Sequence, residues 1–359
     1  MLTDASAACS KARYGYGPRA LERFAPLLLI ALAAGLAFAL CLGLRPLMMR
    51  YALARPNARS SHRIPTPQGG GIAVLAGAFL ELGLALALIP MEASAKQGLV
   101  LVMAATTLLA LVGAWDDIRP LSPALRLPLQ FLCVGIVVFY AAPEVRLLPE
   151  ALPLWAERGL ALIAGVWFVN LVNFMDGIDW ITLAGLVPLI GAIALAGNSG
   201  IVDPATGLLA AALFGGLLGF APFNKPVARI FLGDVGSLPL GLLAAYLLYR
   251  LAGTGALTAA LILPLYHVMD STITLFRRLA RGEKVWQAHR SHFYQQATDN
   301  GFRVIEIVAQ VALLNLCLIA LAAVSIALPA FWAQFGCLLA ALTLTGGLLR
   351  RFSRKRAQP

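Results

Sequence analysis

Eleven apolar stretches alternate with polar breaks along this chain of 359 residues, at roughly 26–44, 71–89, 98–114, 126–142, 158–174, 180–197, 207–222, 236–250, 255–276, 305–328 and 330–349. Each is near the ~20 residues that cross ~30 Å of hydrocarbon as a helix. A helix satisfies its own backbone hydrogen bonds in lipid, which an open strand cannot do. The expected fold is therefore all-α, a polytopic integral membrane protein with about eleven transmembrane helices. Composition agrees, since 60% of the residues are hydrophobic and 13% charged, whereas a soluble domain is roughly half apolar. One transmembrane domain over 26–349 is expected, between an N-terminal tail (1–25) and a basic tail (350–359). The stretches at 158–174 and 207–222 are the weakest of the series. The first stretch reads as a retained helix because no convincing cleavage site follows it. Cys41, Cys133, Cys317 and Cys337 fall inside spans without paired spacing and read as small packing residues.

Loop charge sets the expected orientation. The breaks at 45–70, 115–126, 221–235 and 277–304, together with the tail after 349, hold twenty Lys and Arg, against Lys96, Arg146, Arg158 and Arg250 in the opposite loops. This bias places the first set and the C-terminus in the cytoplasm; Lys11, Arg13, Arg19 and Arg23 of the N-terminal tail run against it. The net charge of +11 reads first as topology and contact with anionic lipid headgroups, above all at Arg350, Arg351, Arg354, Lys355 and Arg356. The expected partners accordingly include membrane lipid and no nucleic acid.

Asp116, Asp117, Asp176, Asp179 and Asp234 all fall in breaks separated by even numbers of spans. They belong to one face, the cytoplasmic one on this reading, and imply an active site there. Asp116-Asp117 ends a span, where adjacent carboxylates repel and lose solvation; the pair is expected to serve as acid/base or metal groups, with a solvated helix end as the plainer reading. Asn170, Asn173 and Asp176 repeat every three residues and would share a helix face, with Gly177 and Asp179 following. Oxygen groups at this density suit Mg²⁺ or Mn²⁺, with Asp176 among the expected ligands. Asp234, between Gly233 and Gly236, is the first choice as a metal ligand, while Ser237 could cap the next helix.

Two further segments supply expected substrate contacts. Thr66, Gly69, Gly70 and Gly71, in the run from Ser61 through His62, Arg63 and Pro65, could admit an anion to a helix N-terminus; a stiff turn before a span is equally compatible. In the longest loop, His289, Arg290 and His292 lie beside Trp286 and Tyr294. The two histidines lack the further His or Cys of a zinc site, and Arg with His beside aromatic rings better suits a diphosphate and a base or sugar.

The acidic pair, NxxNxxDGxD, FLGDxGSLPLG and the HRSHFY loop, preceded by SHRxPTPxGGG, together resemble the polyprenyl-phosphate N-acetylhexosamine-1-phosphate transferases of glycosyltransferase family 4. The resemblance covers about residues 45–300 and lies nearer the O-antigen initiating branch than the peptidoglycan translocase. It implies transfer of a sugar-1-phosphate from a UDP-amino sugar to undecaprenyl phosphate with Mg²⁺ and release of UMP, in the inner membrane of a bacterium, with a homodimer as a candidate assembly. By position it implies Asp116 and Asp117 as the catalytic pair, Asp234 and Asp176 as metal ligands, and Asn173, Asp179, His289, Arg290 and His292 at the donor. Trp180 departs from the pattern where a second glycine is common, as does Arg126 where a Lys is frequent. The UDP-MurNAc-pentapeptide translocase of peptidoglycan synthesis is the alternative. From other classes, a secondary transporter is disfavoured because the acids lie at span ends rather than within them, and a purely structural subunit by the concentration of polar motifs.

Overall fold

The computed structural model describes residues 20–54, 65–284 and 289–356, with side chains from residue 27 onward. Ser61, His62, Arg63, Trp286 and most of the N-terminal tail lie outside the described residues. Thirteen α-helices and one short strand pair follow in chain order: α1 Ala20–Tyr51, β1 Leu53–Ala54, β2 Thr66–Pro67, α2 Gly70–Leu88, α3 Ala93–Ile118, α4 Pro123–Ile136, α5 Leu154–Phe174, α6 Ile181–Asn198, α7 Pro204–Phe220, α8 Asp234–Ala252, α9 Leu257–Ile262, α10 Leu265–Ala280, α11 Phe293–Asp299, α12 Val304–Ala327 and α13 Phe331–Phe352. A π-helical turn, Val137–Ala141, extends α4.

The chain is a polytopic all-α membrane protein. Among the described residues nine helices are long and apolar enough to cross a membrane: α1 to α6, α8, α12 and α13, with α4 counted through its π-helical turn. The two other expected spans differ in form. Residues 204–220 make a shorter apolar helix of 17 residues. The stretch at 255–276 breaks at Leu263-Pro264 into α9 and α10, where a proline ring and its missing N–H interrupt the helical ladder. Cys41, Cys133 and Cys337 are buried, whereas Cys317 is exposed.

Helix α8 is the axis around which the functional end is built, and nearly all its residues are buried. Helix α3 reaches it through Gly113, where a Cβ would stand 2.2 Å from the Asp234 carbonyl oxygen. Asp117 lies one turn further along the same face of α3, so this close approach delivers its carboxylate to the start of α8. The strands pair antiparallel with Leu53 opposite Pro67 and Ala54 opposite Thr66. Gln68 bridges in parallel to Phe231, which lays the segment after β2 against the entry to α8.

At the opposite end of the bundle, charges close on one another. Glu157 takes Arg146 Nε at 3.1 Å and the amides of Leu147 and Leu148 at 2.9 and 3.1 Å. Arg250 bridges Glu144 and Asp203, the latter at 2.8 Å, while Asp203 caps α7 by accepting from the Thr206 amide at 3.0 Å. Three of the four cations counted in these loops are thus engaged within the fold, since Arg158 donates to the Pro143 carbonyl at 2.6 Å.

Candidate active site

The acids that alternate along the chain gather at one end of the bundle. Asp117 accepts from the amides of Asp234 and Val235 at 2.9 and 3.0 Å, one on each oxygen. It therefore binds the exposed donors at the N-terminus of α8, where the helix dipole also favours a negative charge. Asp116 pairs with Arg126 and accepts from the Leu121 amide. The same Arg126 lies 3.5 Å from Asp234 Oδ2, and Asn173 donates to Asp234 Oδ1 at 2.8 Å and to Ser237 Oγ at 2.9 Å. Asp116, Asp234, Arg126 and Asn173 thus form one connected network contributed by three helices and the helix that follows the acidic pair.

Asp176 and Asp179 follow α5 rather than continuing it, because the helix ends at Phe174. The expected three-residue polar face accordingly splays. Asn170 donates to Gln130 at 2.6 Å, Asn173 reaches Asp234, and Asp176 accepts from Thr182 Oγ1 at 2.5 Å. Burial, followed by repulsion from Asp117 and Asp179, pushes Asp176 up to about 7 despite the Thr182 hydrogen bond. Asp179 accepts from the Ala228 amide at 3.0 Å. Trp180, next in line, adopts the left-handed conformation at φ 62 that glycine enters freely. Its amide donates to Asn224 Oδ1 at 2.8 Å and its indole to the Ala221 carbonyl at 2.7 Å, which offsets a backbone cost of about 1–2 kcal/mol.

A cavity of about 1200 Å³ opens at this end, lined by Thr66, Asp117, Asp176, Asp179, Asp234 and Arg290 among others. Arg290 is braced by Thr298 Oγ1 at 3.0 Å and by Asp299 at 3.1 Å. A second, mainly apolar groove of about 300 Å³ runs between α4, α5 and α10, lined by Leu127, Trp167, Phe174 and Leu275 together with Arg126 and Gln130. Arg126 therefore lines the groove while its guanidinium reaches Asp234, a wall of the cavity.

Several expectations need correction. The amides of Gly69 and Gly70 both donate to the Phe231 carbonyl, at 3.1 and 2.9 Å, and that of Gly71 to Leu232 at 2.9 Å, so they are not available to a phosphate. Gly69 is required by its φ of 114, and Gly70 by packing, since a Cβ there would lie 2.3 Å from the Phe220 ring. Ser237 lies inside α8 rather than capping it, the cap position being Gly233. His292 is buried and its Nδ1 lies 3.1 Å from Asp270; His289 stacks on it at 4.8 Å between ring centres. Burial, with His292 and Arg278 nearby, pushes His289 down to about 4. These two rings build the loop and leave Arg290 to face the cavity.

Asp270 was missed in the sequence although a carboxylate within an apolar span is itself a signal. It is fully buried. Beyond His292, it accepts from the amides of Phe293 and Tyr294 at 3.0 and 3.2 Å. Tyr294 in turn donates to the Phe174 carbonyl at 3.1 Å, so α11 is pinned against the turn that carries Asp176.

Among the described residues no three acids or histidines stand as a ready-made metal set. Mg²⁺ is commonly held through one or two carboxylates, with substrate phosphates and water completing its sphere. Asp234 and Asp176 line one cavity, and the crowding that raises Asp176 is what a cation would relieve. The donors present fit such an ion.

Residues 99–252 match glycosyl transferase family 4. Phospho-N-acetylmuramoyl-pentapeptide-transferase of Streptococcus pneumoniae (strain CGSP14) is 30% identical over 261 residues, 64% of this chain and 73% of the relative. The transferase of the same name from Symbiobacterium thermophilum is 36% identical over 238 residues, 57% and 68% of the two chains. The chain belongs to glycosyl transferase family 4. Another similar member, decaprenyl-phosphate N-acetylglucosaminephosphotransferase of Mycobacterium leprae, is 27% identical over 285 residues, 70% of this chain and 71% of the relative. The family match spans Asp116, Asp117, Asn173, Asp176, Asp179 and Asp234. This family 4 transferase therefore draws the acids of its site from the matched segment, while Thr66 and Arg290 reach the cavity from outside it.

Proposed function

We propose that this membrane transferase moves an N-acetylhexosamine-1-phosphate, or a 6-deoxy amino sugar phosphate, from a UDP-sugar to undecaprenyl phosphate. UMP is released, and the lipid-linked product initiates synthesis of a bacterial cell-surface polysaccharide of the O-antigen type. The observation that carries this reading is the junction at Arg126 and Asp234, where a cavity lined by Asp117, Asp176, Asp179, Asp234 and Arg290 among others, large enough for a nucleotide sugar, meets an apolar groove suited to a polyprenyl chain. The Lys and Arg bias puts that junction on the cytoplasmic side of the inner membrane, where a soluble nucleotide sugar and a lipid acceptor can meet.

In the reaction an oxygen of the lipid phosphate forms a bond to the sugar-linked phosphorus as the bond from that phosphorus to the UMP oxygen breaks. Such transfers depend chiefly on positioning and on offsetting negative charge. Arg126 offers a guanidinium to the acceptor phosphate at the mouth of the groove, and Arg290 faces the donor from the other wall. Asp117 fixes the start of α8, so Asp234 holds its place, and Asn173 orients Asp234 from α5. Asp116 holds Arg126 at the mouth of the groove, where the guanidinium offsets the charge of the attacking acceptor phosphate. Mg²⁺ or Mn²⁺, held by Asp234 and Asp176, would neutralise the diphosphate.

The names of the Streptococcus pneumoniae and Symbiobacterium thermophilum relatives favour a second reading, UDP-MurNAc-pentapeptide as the donor. Against it, a relative named decaprenyl-phosphate N-acetylglucosaminephosphotransferase is 27% identical, and the loop at 289–292 buries His292 against Asp270 and presents Arg290 to the cavity as the cation for a donor phosphate. The test is purified protein with undecaprenyl phosphate, Mg²⁺ and a panel of UDP-N-acetylhexosamines, UDP-deoxy amino sugars and UDP-MurNAc-pentapeptide, following UMP and lipid product together. UMP release that requires both lipid and metal with a hexosamine donor is the expected result. Release from the pentapeptide donor alone would replace this reading with the second, and folded protein inactive with every donor would remove both.

A further inference from the structure

The basic tail was read in the sequence as a topological signal in general contact with anionic lipid headgroups, without a built site, and the catalytic site does not use it. In the structure it is assembled into a cavity of about 280 Å³, lined by Arg350, Arg351, Arg354, Lys355, Arg356, Phe302 and Gly347. We infer that this cavity is a second binding site, specific for a phosphate group, and that its occupant is the headgroup of an anionic phospholipid.

The convergence of cations is imposed by the fold rather than by a run of sequence in an extended tail. The chain turns back after α13: the Arg356 amide donates to the Asn300 carbonyl at 3.0 Å, and Asn300 Nδ2 donates to the Phe352 carbonyl at 2.8 Å. Phe302 packs edge-on against Phe352 at 5.9 Å. The guanidinium carbons of Arg351 and Arg356 both lie over the Phe302 ring, at 5.9 and 5.7 Å from its centre. Two like charges are thus drawn to one ring.

Their neutralisation within the fold is incomplete. Among the described residues, Glu306 pairs with Arg356 at 2.9 Å, but it also serves Arg303 at 3.1 Å. The C-terminus of α13 offers only about half a negative charge. A phosphate, with several acceptor oxygens, suits clustered guanidiniums better than either partner.

Gly347 points to a lipid rather than a free ion. It lies on the exposed surface of α13 about one turn before the arginines, and nothing stands within 4 Å of where its Cβ would be. This notch lets a headgroup approach the helix backbone while acyl chains run along the outward side chains Leu344, Leu342 and Leu339, all of them exposed. The site also touches the catalytic end. Phe302 belongs to the turn between α11 and α12, whose neighbours Thr298, Asp299, Arg303, Val304 and Ile305 line the 1200 Å³ cavity. Headgroup binding would hold the rim of that cavity in place.

The test uses full-length protein taken from bilayers of phosphatidylcholine with phosphatidylglycerol, and counts retained lipid by native mass spectrometry. Phosphatidylglycerol is expected to be retained over phosphatidylcholine. Retention should fall on the order of fivefold for each arginine lost in Arg350→Gln and Arg354→Gln, from about 1 kcal/mol per cation. Gly347→Leu, which fills the notch, should lower lipid retention as well, while Lys96→Gln at the other end of the bundle should leave it unchanged. Equal retention of both lipids, or no loss in the double arginine variant while its melting temperature stays at that of the parent, would refute the site. If millimolar inorganic phosphate displaces the lipid and Gly347→Leu has no effect, the occupant is a soluble phosphate and the lipid assignment falls. A kinetic arm rests on the proposed donor reaction: the donor KM should rise several-fold in phosphatidylcholine alone, with kcat changed less. Because retention is measured without turnover, failure of the donor reaction leaves the binding result intact.

Discussion

The two ends of the bundle handle charge in opposite ways. At the end distal to the cavity, Glu157 is matched by Arg146, while Arg250 bridges Asp203 and Glu144. At the cavity end, Asp116 and Asp234 share Arg126, whereas Asp117 and Asp176 are held by backbone amides and a hydroxyl. Paired charges close the first end and need nothing more. Acids held only by neutral donors have no fixed cation to offset them, and the burial and crowding that push Asp176 up to about 7 are what a bound cation would relieve. The contrast separates structural from functional carboxylates more sharply than burial does, since Glu157 is among the most buried acids in the protein at 3% exposure.

The contrast breaks most directly with removal of metal or of Asp234. Chelation should abolish UMP release and added Mg²⁺ restore it; Asp234→Ala should lower turnover by roughly 10²–10⁴-fold without loss of membrane-inserted protein. If that variant is missing from the membrane instead, Asp234 belongs with the structural acids. Asp117→Asn is expected to cost on the order of 10²-fold, because an amide NH₂ would face one of the two α8 amides that the carboxylate now accepts. Measured turnover near that of the parent would show that the anchoring of α8 is dispensable.

Asp270 sharpens the comparison, because it is a buried acid at the functional end that lines no described cavity. Asp270→Ala should raise the donor KM about tenfold through loosening of α11, and Asp270→Asn, which keeps acceptor oxygen, should recover part of that loss. A change in kcat alone would argue against positioning. At the opposite end, Arg250→Ala is expected to lower stability by about 1 kcal/mol and leave the kinetics of the folded fraction unchanged; a kinetic defect there would erase the distinction between the two ends.

The smallest effect concerns pH. Asp176 sits at about 7 against an ordinary 3.8, so the folded chain holds this proton more tightly than the unfolded chain. Its contribution to stability is therefore lost as pH rises from about 4 to about 7. Metal-free protein should melt lower at pH 8 than at pH 5.5, with a smaller difference in Asp176→Asn. An identical difference in the variant would assign the pH effect to other groups.

Much of the architecture was legible because lipid leaves few options. Span length and apolarity located nine segments that are helices long enough to cross a membrane among the described residues, while the expected spans at 207–222 and 255–276 became a shorter helix and a broken pair; parity placed the five acids at one end. Periodicity failed at Asn170, Asn173 and Asp176, since a three-residue repeat does not say where a helix stops; these side chains face α4, α8 and α6. It failed again at Gly69 and Gly70, where the same residues that admit an anion also admit a neighbouring segment, and the segment at 231–232 took the amides. The histidine loop misled for a related reason: its spacing suggested donor contacts, but Asp270, distant in sequence, draws His292 into the interior.

The amino-acid sequence by itself determined that this protein is an all-α membrane enzyme with its acids on one face, because hydropathy and loop parity are local properties summed along the chain. Which acid is anchored, which is shared with a cation, and which stands open to the cavity depended on the tertiary structure. Those roles follow from close approaches such as Gly113 to the start of α8 and from contacts between residues more than a hundred positions apart, including Asp117 with Asp234. No local pattern in the chain encodes them.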